Sequence, residues 1–407
     1  GFGKSAELFA TELVHQLGTD PSKRKLVAFS DSRDDAARLA NAVEREHYED
    51  LVRELLADVG RNVLEKQAAL LITVNRAPEY GQQEDDSQAV IDALDLLRVQ
   101  HHARFGAEAK RELSRMRAGL VKVSDLLKGE GQRLGALAER MAELGINPGG
   151  SDINSRRIWQ GNALHHWRDL LRKQDGAWQW TNDAGGLIDH GNAALHRQVA
   201  QTFFGRLFYT AEAAGIGHLC VDPNDPDMQV AIDRYMPDGI TKEVFMDILD
   251  ATVRLLGDRY QYQGAEFDPI QAAEYDKWPA PIKRWVKNTA AYNGITGAVL
   301  GPAIFNTLVA QVDGAARGVY SGGSGLFIDR LCFKPSTPDQ PIWRNARSQR
   351  VYLHAGGGVC TQEGSRVKLR PDGTVDPGVL LTQAHNGALR QQQKKHYLGH
   401  RAMVEQR

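Results

Sequence analysis

The sequence KLVAFSDSRDDAARLA, residues 25–40, carries the clearest structural pattern of this chain. Lys25–Phe29 is a short apolar run between a turn and polar residues, which is typical of a buried strand. The polar residues that follow lead directly into a run with helical spacing. Ligands of α/β units collect where a strand ends and a helix begins, so Ser30, Ser32 and Arg33 are candidates for contact with an anionic ligand.

Helical patterns flank this strand on both sides. Before it, Ser5–Leu17 places its apolar residues at helical spacing, and after it the apolar residues keep a helical period to about Val59. We therefore predict a helix, a strand, a polar turn and a long helix, which together form an α/β unit.

The polar turn also has a simpler interpretation. Asp31, Asp34 and Asp35 can cap the second helix, and Arg33 can pair with one of them. In that case the turn contacts no ligand, and both interpretations stay open on the sequence.

Two phrases in this region resemble a known family. FSDSRDDAARLA, residues 29–40, and HYEDLVR, His47–Arg53, resemble motif IV and the sequence after it in superfamily 2 helicases. The resemblance is greatest to the large bacterial helicases of antiphage defence systems such as DISARM. It implies that the chain enters a second RecA-like domain of an ATP-dependent motor that binds single- or double-stranded DNA. The residues that the resemblance implies on the nucleic acid are Ser30, Asp31, Ser32 and Arg33.

A second resemblance to the same helicases lies near the carboxyl terminus. Their zinc-ribbon-like stretch reads W-x-C-x-x-C-x-R-x-H-L-H and then G-x-C-x-x-C, whereas this chain has WRNARSQRVYLH at Trp343–His354 and GVCTQE at residues 358–363. The four ligand positions hold Asn345, Ser348, Cys360 and Glu363. Structural zinc requires thiolate or imidazole ligands. We therefore predict that this degenerate frame binds no metal and that packing holds the ribbon together.

The long middle of the chain is mainly helical in pattern. Helical spacing is continuous from Ser87 to Leu127. Further predicted helices are Leu134–Leu144, His190–Ala214, Lys242–Leu256 and Pro281–Ala291. The tryptophans expected to anchor a helical packet are Trp159, Trp167, Trp178 and Trp180.

The Gly-rich stretch Gly314–Gly325 separates this middle from the end of the chain. It is either a flexible loop or a backbone segment that its neighbours approach closely. Short strands are predicted after it, at Leu326–Phe333, Pro341–Trp343 and Val351–His354, and a polar helix from about Gly387. The predicted organisation is a RecA-like α/β start at 1–60, a helical insertion at 61–313 and a ribbon-like end at 314–407. The fold class is therefore mostly α.

A basic stretch that contains an indole lies in the last predicted helix of the middle region. Lys283, Arg284 and Trp285 combine cations with an aromatic ring, which suits phosphate contact and base stacking. On a helix, however, Trp278, Ile282 and Trp285 share one face. Core tryptophans beneath a solvated basic face are therefore the alternative.

Composition excludes several classes of protein. The 407 residues carry 50 basic and 51 acidic side chains, so the chain is not a globally basic nucleic-acid binder, although a local basic surface remains possible. Three scattered cysteines cannot form a disulfide framework, which indicates a cytoplasmic protein. No apolar run approaches the length of a membrane span, so no membrane partner is expected.

The motifs that the chain lacks are also informative. It has no complete Walker A loop, no DExH-type motif and no Q-x-x-G-R-x-x-R segment. We therefore expect no catalytic residues and no bound cofactor in this chain alone, with ATP and Mg²⁺ bound by the remaining helicase domains of a longer protein. The opening Gly-Phe-Gly-Lys agrees with an internal piece of such a protein. A second defence-system subunit is a further expected partner. The alternative is a non-catalytic helical scaffold or partner-binding subunit of a nucleic-acid-processing complex.

Overall fold

A computed structural model of the chain describes most of the residues between 33 and 384. The described ranges are 33–80, 106–129, 131–150, 157–160, 163–174, 176–181, 185–204, 210–265, 269–309, 311–312, 315–316, 318–337 and 340–384. The fold is mixed α/β, about 52% helical, with small antiparallel sheets. The expected features that lie outside the described residues are Ser5–Leu17, Lys25–Phe29, Ser30, Asp31, Ser32 and the helix from about Gly387.

Helices and short strands alternate along the chain. The α-helices of the described ranges are α1 (Arg33–Tyr80), α2 (Gly106–Arg117), α3 (Val123–Leu127), α4 (Ala136–Glu143), α5 (Gly185–Phe203), α6 (Pro226–Tyr235), α7 (Lys242–Gly257), α8 (Ala280–Tyr292), α9 (Gly297–Val309) and α10 (Thr361–Gly364). The strands are β1 (Val121–Lys122), β2 (Arg157–Gln160), β3 (Ala163–His166), β4 (Leu171–Gln174), β5 (Ala177–Trp180), β6 (Gly217–Cys220), β7 (Gln311–Val312), β8 (Ala315–Ala316), β9 (Tyr320–Ser321), β10 (Gly325–Leu326), β11 (Cys332–Pro335), β12 (Ile342–Asn345), β13 (Val351–Tyr352) and β14 (Leu381–Ala384).

Helix α1 is continuous over 48 residues. It runs through residue 60, where the sequence placed the end of the first unit, because helix-forming residues continue beyond the predicted limit at Val59. The hydroxyl of Tyr48 donates a 2.9 Å hydrogen bond to the carbonyl oxygen of Asn147, and Val52 and Leu56 are fully buried. The HYEDLVR phrase therefore lies on a helix that packs against the core.

A three-stranded antiparallel sheet joins distant parts of the chain in the order β1-β11-β6. Its first strand corrects the prediction of continuous helix from Ser87 to Leu127. Helix α2 ends at Arg117, Gly119 adopts the left-handed conformation with φ of 65°, and Val121 then pairs with Phe333 of β11. Sequence periodicity could not reveal this strand, because its pairing partner lies more than two hundred residues away.

The predicted helical packet of tryptophans is wrong. Strand β2 pairs with β3 and β4 pairs with β5, so this region forms two antiparallel hairpins. Trp159 lies on β2, Trp178 and Trp180 lie on β5, and Trp167 begins a 3-10 turn. The alternation of apolar and polar residues around β5 has a period of two, which favours strand over helix.

Helices α7 and α8 confirm their predictions to within one residue at each end. The predicted helix Leu134–Leu144 forms as α4, and the predicted His190–Ala214 forms as α5 but ends at Phe203. Helix α9 was not predicted. It is apolar on nearly all sides and contains Pro302, and it packs against α8 and α6. Among the described residues, no helix has the length and apolar character that crossing a membrane requires.

The Gly-rich stretch forms short hairpins where the sequence left two alternatives. Strand β9 pairs with β10, and a Cβ atom added at Gly322 would overlap the carbonyl oxygen of Ala272. The close-approach alternative therefore applies at Gly322. Beyond it, the predicted strands Pro341–Trp343 and Val351–His354 form as β12 and β13, and β12 lies between β13 and β14. The predicted strand Leu326–Phe333 is wrong over most of its length, because a 3-10 turn at Ile328–Arg330 separates the end of β10 from β11.

Candidate functional site

The first half of the predicted metal frame begins at the end of β12, in the sheet formed by β12, β13 and β14. Asn345 ends β12 and is fully buried. Its Oδ1 atom accepts hydrogen bonds from the backbone N–H groups of Arg347 (3.1 Å) and Ser348 (2.8 Å), and from the Ser348 hydroxyl (3.0 Å). Its Nδ2 atom donates to the carbonyl oxygens of Gly378 and Leu380, both at 3.0 Å. The amide therefore uses both donors and its acceptor within the protein.

The second half of the frame is the turn that begins at Cys360. The Cys360 thiol is fully buried and caps α10, where its Sγ accepts the backbone N–H of Glu363 at 3.4 Å. The Tyr352 hydroxyl lies 3.1 Å from the same sulfur atom. The carboxylate of Glu363 pairs with Arg366 at 3.6 Å. The Cys360 thiol and the Glu363 carboxylate thus both have protein partners.

Both turns pack against one segment of backbone. Asn345 donates to the carbonyl groups of Gly378 and Leu380, and the backbone N–H of Cys360 donates to the carbonyl oxygen of Val379 at 2.8 Å. Both halves of the frame therefore contact the same three residues, 378–380, which lie directly before β14.

The donor set of this frame does not fit zinc. An amide and a hydroxyl are poor zinc ligands, and the Asn345 amide already has all its polar atoms in hydrogen bonds. Within the described ranges, no group of three or more histidine, cysteine, aspartate or glutamate side chains could hold a metal ion. Hydrogen bonds and packing hold this segment together.

The basic stretch on α8 contains one buried indole ring and two partly exposed cations. Trp285 is fully buried, and its indole N–H donates to the carbonyl oxygen of Val359 at 3.1 Å. Its ring is therefore unavailable for base stacking, and the core-tryptophan alternative applies. The Lys283 ammonium donates to the carbonyl oxygen of Asp276 at 2.8 Å, and both Lys283 and Arg284 remain partly exposed.

Helix α8 holds the segment that follows α10. The Arg284 guanidinium donates to the carbonyl oxygens of Ser365 and Arg366 at 3.0 and 3.1 Å. The Asn288 amide donates to the carbonyl oxygens of Gly364 and Val367 at 2.9 and 2.8 Å. The segment that α8 holds carries three further exposed cations, at residues 366, 368 and 370. Sequence reasoning missed them, although the alternation R-V-K-L-R was a readable signal.

A buried polar network joins the ribbon-like segment to the rest of the protein. The Arg254 guanidinium donates to the Glu212 carboxylate and to Nε2 of His354, and it stacks 4.6 Å from the ring centroid of Tyr352. Glu212 also accepts the backbone N–H of Leu353 at 2.9 Å. Because an arginine can only donate, Nε2 of His354 is the acceptor and its proton lies on Nδ1.

Burial shifts the pKa values of the titratable groups around this network. Desolvation and then the Arg254 charge hold the pKa values of His218 and His354 well below the usual imidazole value. Their rings stack with centroids 4.9 Å apart. Burial also raises the pKa of Asp250 to about 8, while its Oδ1 accepts the backbone N–H of Val221 at 2.9 Å. Both imidazoles are therefore neutral at pH 7.

A cavity of about 530 Å³ opens beside β11 and the start of α6. Its charged lining residues are Arg111, Arg115, Lys122, Asp222, Asp225, Asp227, Asp329 and Arg330. Arg115 is buried and pairs with Asp222 at 2.9 Å. Because cations and carboxylates are equal in number, the cavity selects neither an anionic nor a cationic ligand.

Arg33 is the first residue of α1, and Ser30, Asp31 and Ser32 lie outside the described residues. Comparison with known protein families, with curated proteins and with solved structures found no match to this chain.

Proposed function

We propose that this chain is a segment of an ATP-dependent superfamily 2 DNA helicase or translocase of cytoplasmic antiphage defence. It comprises the start of the second motor domain, a large helical insertion and a zinc-ribbon-like segment that has lost its metal. ATP and Mg²⁺ bind to the remaining motor domains, so this chain alone does not hydrolyse ATP. The DNA contacts lie at Ser30, Asp31, Ser32 and Arg33.

The supporting observation is the hydrogen bonding of the two turns in the degenerate frame. Metal sites in proteins orient their ligands through hydrogen bonds from surrounding groups, which include donors such as N–H groups to ligating sulfurs. Asn345 Oδ1 accepts such groups from Arg347 and Ser348, and Cys360 Sγ accepts one from Glu363. Both turns therefore have a backbone arrangement that suits a ligand pair, at the positions where the helicase pattern has its cysteines.

The test uses the complete protein with all of its motor domains. We expect Arg33→Ala to weaken binding of single-stranded DNA and to lower the DNA-stimulated ATPase rate, because a lost phosphate contact removes favourable charge neutralisation. Arg61→Ala, an exposed residue of the same helix, is the matched control. Fluorescence anisotropy with a labelled oligonucleotide at low salt measures the first effect. Unchanged binding in the Arg33 variant, or no stimulation of ATPase by DNA, would contradict the proposal.

A non-catalytic scaffold or partner-binding subunit is the second candidate. The observation that favours it is the self-sufficient hydrogen bonding of Asn345, which stabilises the ribbon-like segment without metal. The two candidates differ in one measurement. A scaffold would bind the other subunits of its complex while the complete protein shows no ATP hydrolysis with or without DNA.

A further inference from the structure

The segment Ser365–Arg370 exposes a cation at every second residue. Arg366, Lys368 and Arg370 are exposed, whereas the residues between them are partly buried. The Arg366 side chain is 61% exposed. Arg366 lies in the turn that follows α10, where its backbone N–H donates to the carbonyl oxygen of Glu363 at 3.0 Å, and Lys368 and Arg370 lie in the segment that continues from this turn.

The backbone of this segment is held in place by α8. Arg284 and Asn288 together donate hydrogen bonds to the carbonyl oxygens of four consecutive residues, Gly364 to Val367. At the far end, the backbone N–H of Arg370 donates to the carbonyl oxygen of Thr374 at 2.9 Å, which closes a turn. Because the backbone is anchored at both ends, binding of a ligand to the three cations requires little further ordering of the main chain.

The charge around the segment is positive on balance. Residues 340–384 contain six arginine and lysine side chains against three carboxylates, in a chain that is nearly neutral overall. Of those carboxylates, Glu363 lies 3.6 Å from Arg366, and Asp372 is exposed in the turn beyond Arg370. A local basic surface in a neutral protein is a feature of sites that neutralise phosphates.

We propose that Arg366, Lys368 and Arg370 bind successive phosphates of a single-stranded nucleic acid. Three exposed cations within five residues of an anchored backbone can each neutralise a phosphate of one strand. Partly exposed Lys283 on the adjoining helix adds a further cation, whereas buried Trp285 adds no stacking surface. This inference rests on the proposed function, because it adds a second contact for the strand that the motor tracks.

The test is a triple substitution, Arg366→Ala, Lys368→Ala and Arg370→Ala, in the complete protein without ATP. Each phosphate that is neutralised on a single strand contributes about −0.7 to the slope of log K against log salt. Loss of three phosphate contacts should therefore reduce the magnitude of this slope by about 2. Affinity for a labelled oligothymidylate at low salt should fall by at least about tenfold. The matched control substitutes three exposed cations at and beside the β4-β5 hairpin, Arg133, Arg172 and Lys173, and should change affinity less than about threefold.

Two further measurements keep the result interpretable. Arg366→Lys with Arg370→Lys preserves the charge and should retain the affinity, and thermal unfolding of the triple variant should match that of the parent because all three side chains are exposed. Equal losses in the triple variant and the control, or an equal loss of affinity for duplex DNA, would overturn the inference. Loss of DNA-stimulated ATPase concerns the proposed function instead, since binding is measured without ATP.

Discussion

The Asn345 side chain stabilises a turn at a position where the resemblance to helicases implies a metal ligand. It makes hydrogen bonds with two backbone N–H groups, one hydroxyl and two carbonyl oxygens, and it is fully buried. A buried amide can serve here because it carries donors and acceptors on one planar group. Sequence alone did not predict these hydrogen bonds, since Gly378 and Leu380 lie more than thirty residues away.

At the residue scale, we expect Asn345→Ala to destabilise the protein strongly. The change leaves partly buried backbone groups of residues 347, 348, 378 and 380 without their partner, so the free energy of unfolding should fall by about 2–4 kcal/mol. Ser348→Ala removes one hydroxyl from the same turn and should cost about 0.5–1.5 kcal/mol. Denaturant titration of both variants measures the difference. A loss below about 1 kcal/mol for the asparagine variant would show that the turn depends on other contacts.

Close packing between helices decides the structure at the scale of elements. Helix α9 packs against α8, and its buried face contains Gly301, against which the ring of Tyr275 lies. Trp278 stacks edge-on against Tyr275 and Phe305, at centroid distances of 5.7 and 5.4 Å. The sequence of α9 does not distinguish a buried face from an exposed one, because its exposed face, at Ala298, Val299, Pro302 and Asn306, is itself mostly apolar. This is why the helix was missed on sequence.

We expect Gly301→Ala to destabilise the protein, although alanine is the better helix former. A methyl group at this position would overlap the ring of Tyr275, and such overpacking costs about 1–3 kcal/mol against a propensity gain of about 1 kcal/mol. Gly297→Ala, at the start of the same helix, meets Cγ of Lys287 at 3.0 Å and its Cα at 3.4 Å, a looser contact than the ring of Tyr275, and should destabilise less than Gly301→Ala. Thermal unfolding compares the two variants, and equal midpoints would show that the contact with Tyr275 relaxes without cost.

The buried network of Arg254, Glu212 and His354 acts at the scale of the whole molecule. It connects α7 and the turn before β6 to the ribbon-like segment after β13. His218 of β6 stacks on His354, so the central sheet also contributes to this junction. The described part of the chain has one main cluster of buried side chains that extends from Tyr48 to Val379. The three units expected from the sequence therefore share a core.

We expect the free energy of unfolding to decrease as the pH falls below the pKa of a free imidazole. The pKa values of His218 and His354 are lowered in the folded state, so the unfolded chain binds more protons below about pH 6.5. Their contribution is full above that pH and is lost as the pH falls toward the folded values. His354→Gln keeps an acceptor for Arg254 but does not titrate. The free energy of unfolding of this variant should therefore decrease less steeply as the pH falls.

Denaturant titrations at about pH 7.5, 6.5 and 5.5 measure the free energy of unfolding of the parent and the variant. The carboxylates contribute equally to both proteins, so their contribution cancels in the difference. The exposed His47→Gln is the control and should reproduce the parental slope. Parallel curves for the parent and the His354 variant would show that this imidazole contributes nothing to the pH dependence.

Local patterns in the sequence determined the amphipathic helices. Helices α4 and α8 follow from apolar spacing, because one face of each packs on the core and the other is more exposed. Helix α7 follows from the same spacing, although its residues 248–257 are all buried. The same reasoning failed at β1 and in the tryptophan hairpins, where pairing with another strand overrides local preference. Of the candidate site, sequence identified the frame positions and the basic residues of α8.

Tertiary structure alone decided which of those residues face solvent and which pack inside. Trp285 and Asn345 are fully buried, whereas Arg366, Lys368 and Arg370 are exposed, and no periodicity within either segment settles this. The physical reason is that burial depends on partners distant in sequence, such as Val359 for Trp285 and Leu380 for Asn345. Residue types and local spacing determined the available chemistry of this chain, and long-range contacts decided where that chemistry can meet a ligand.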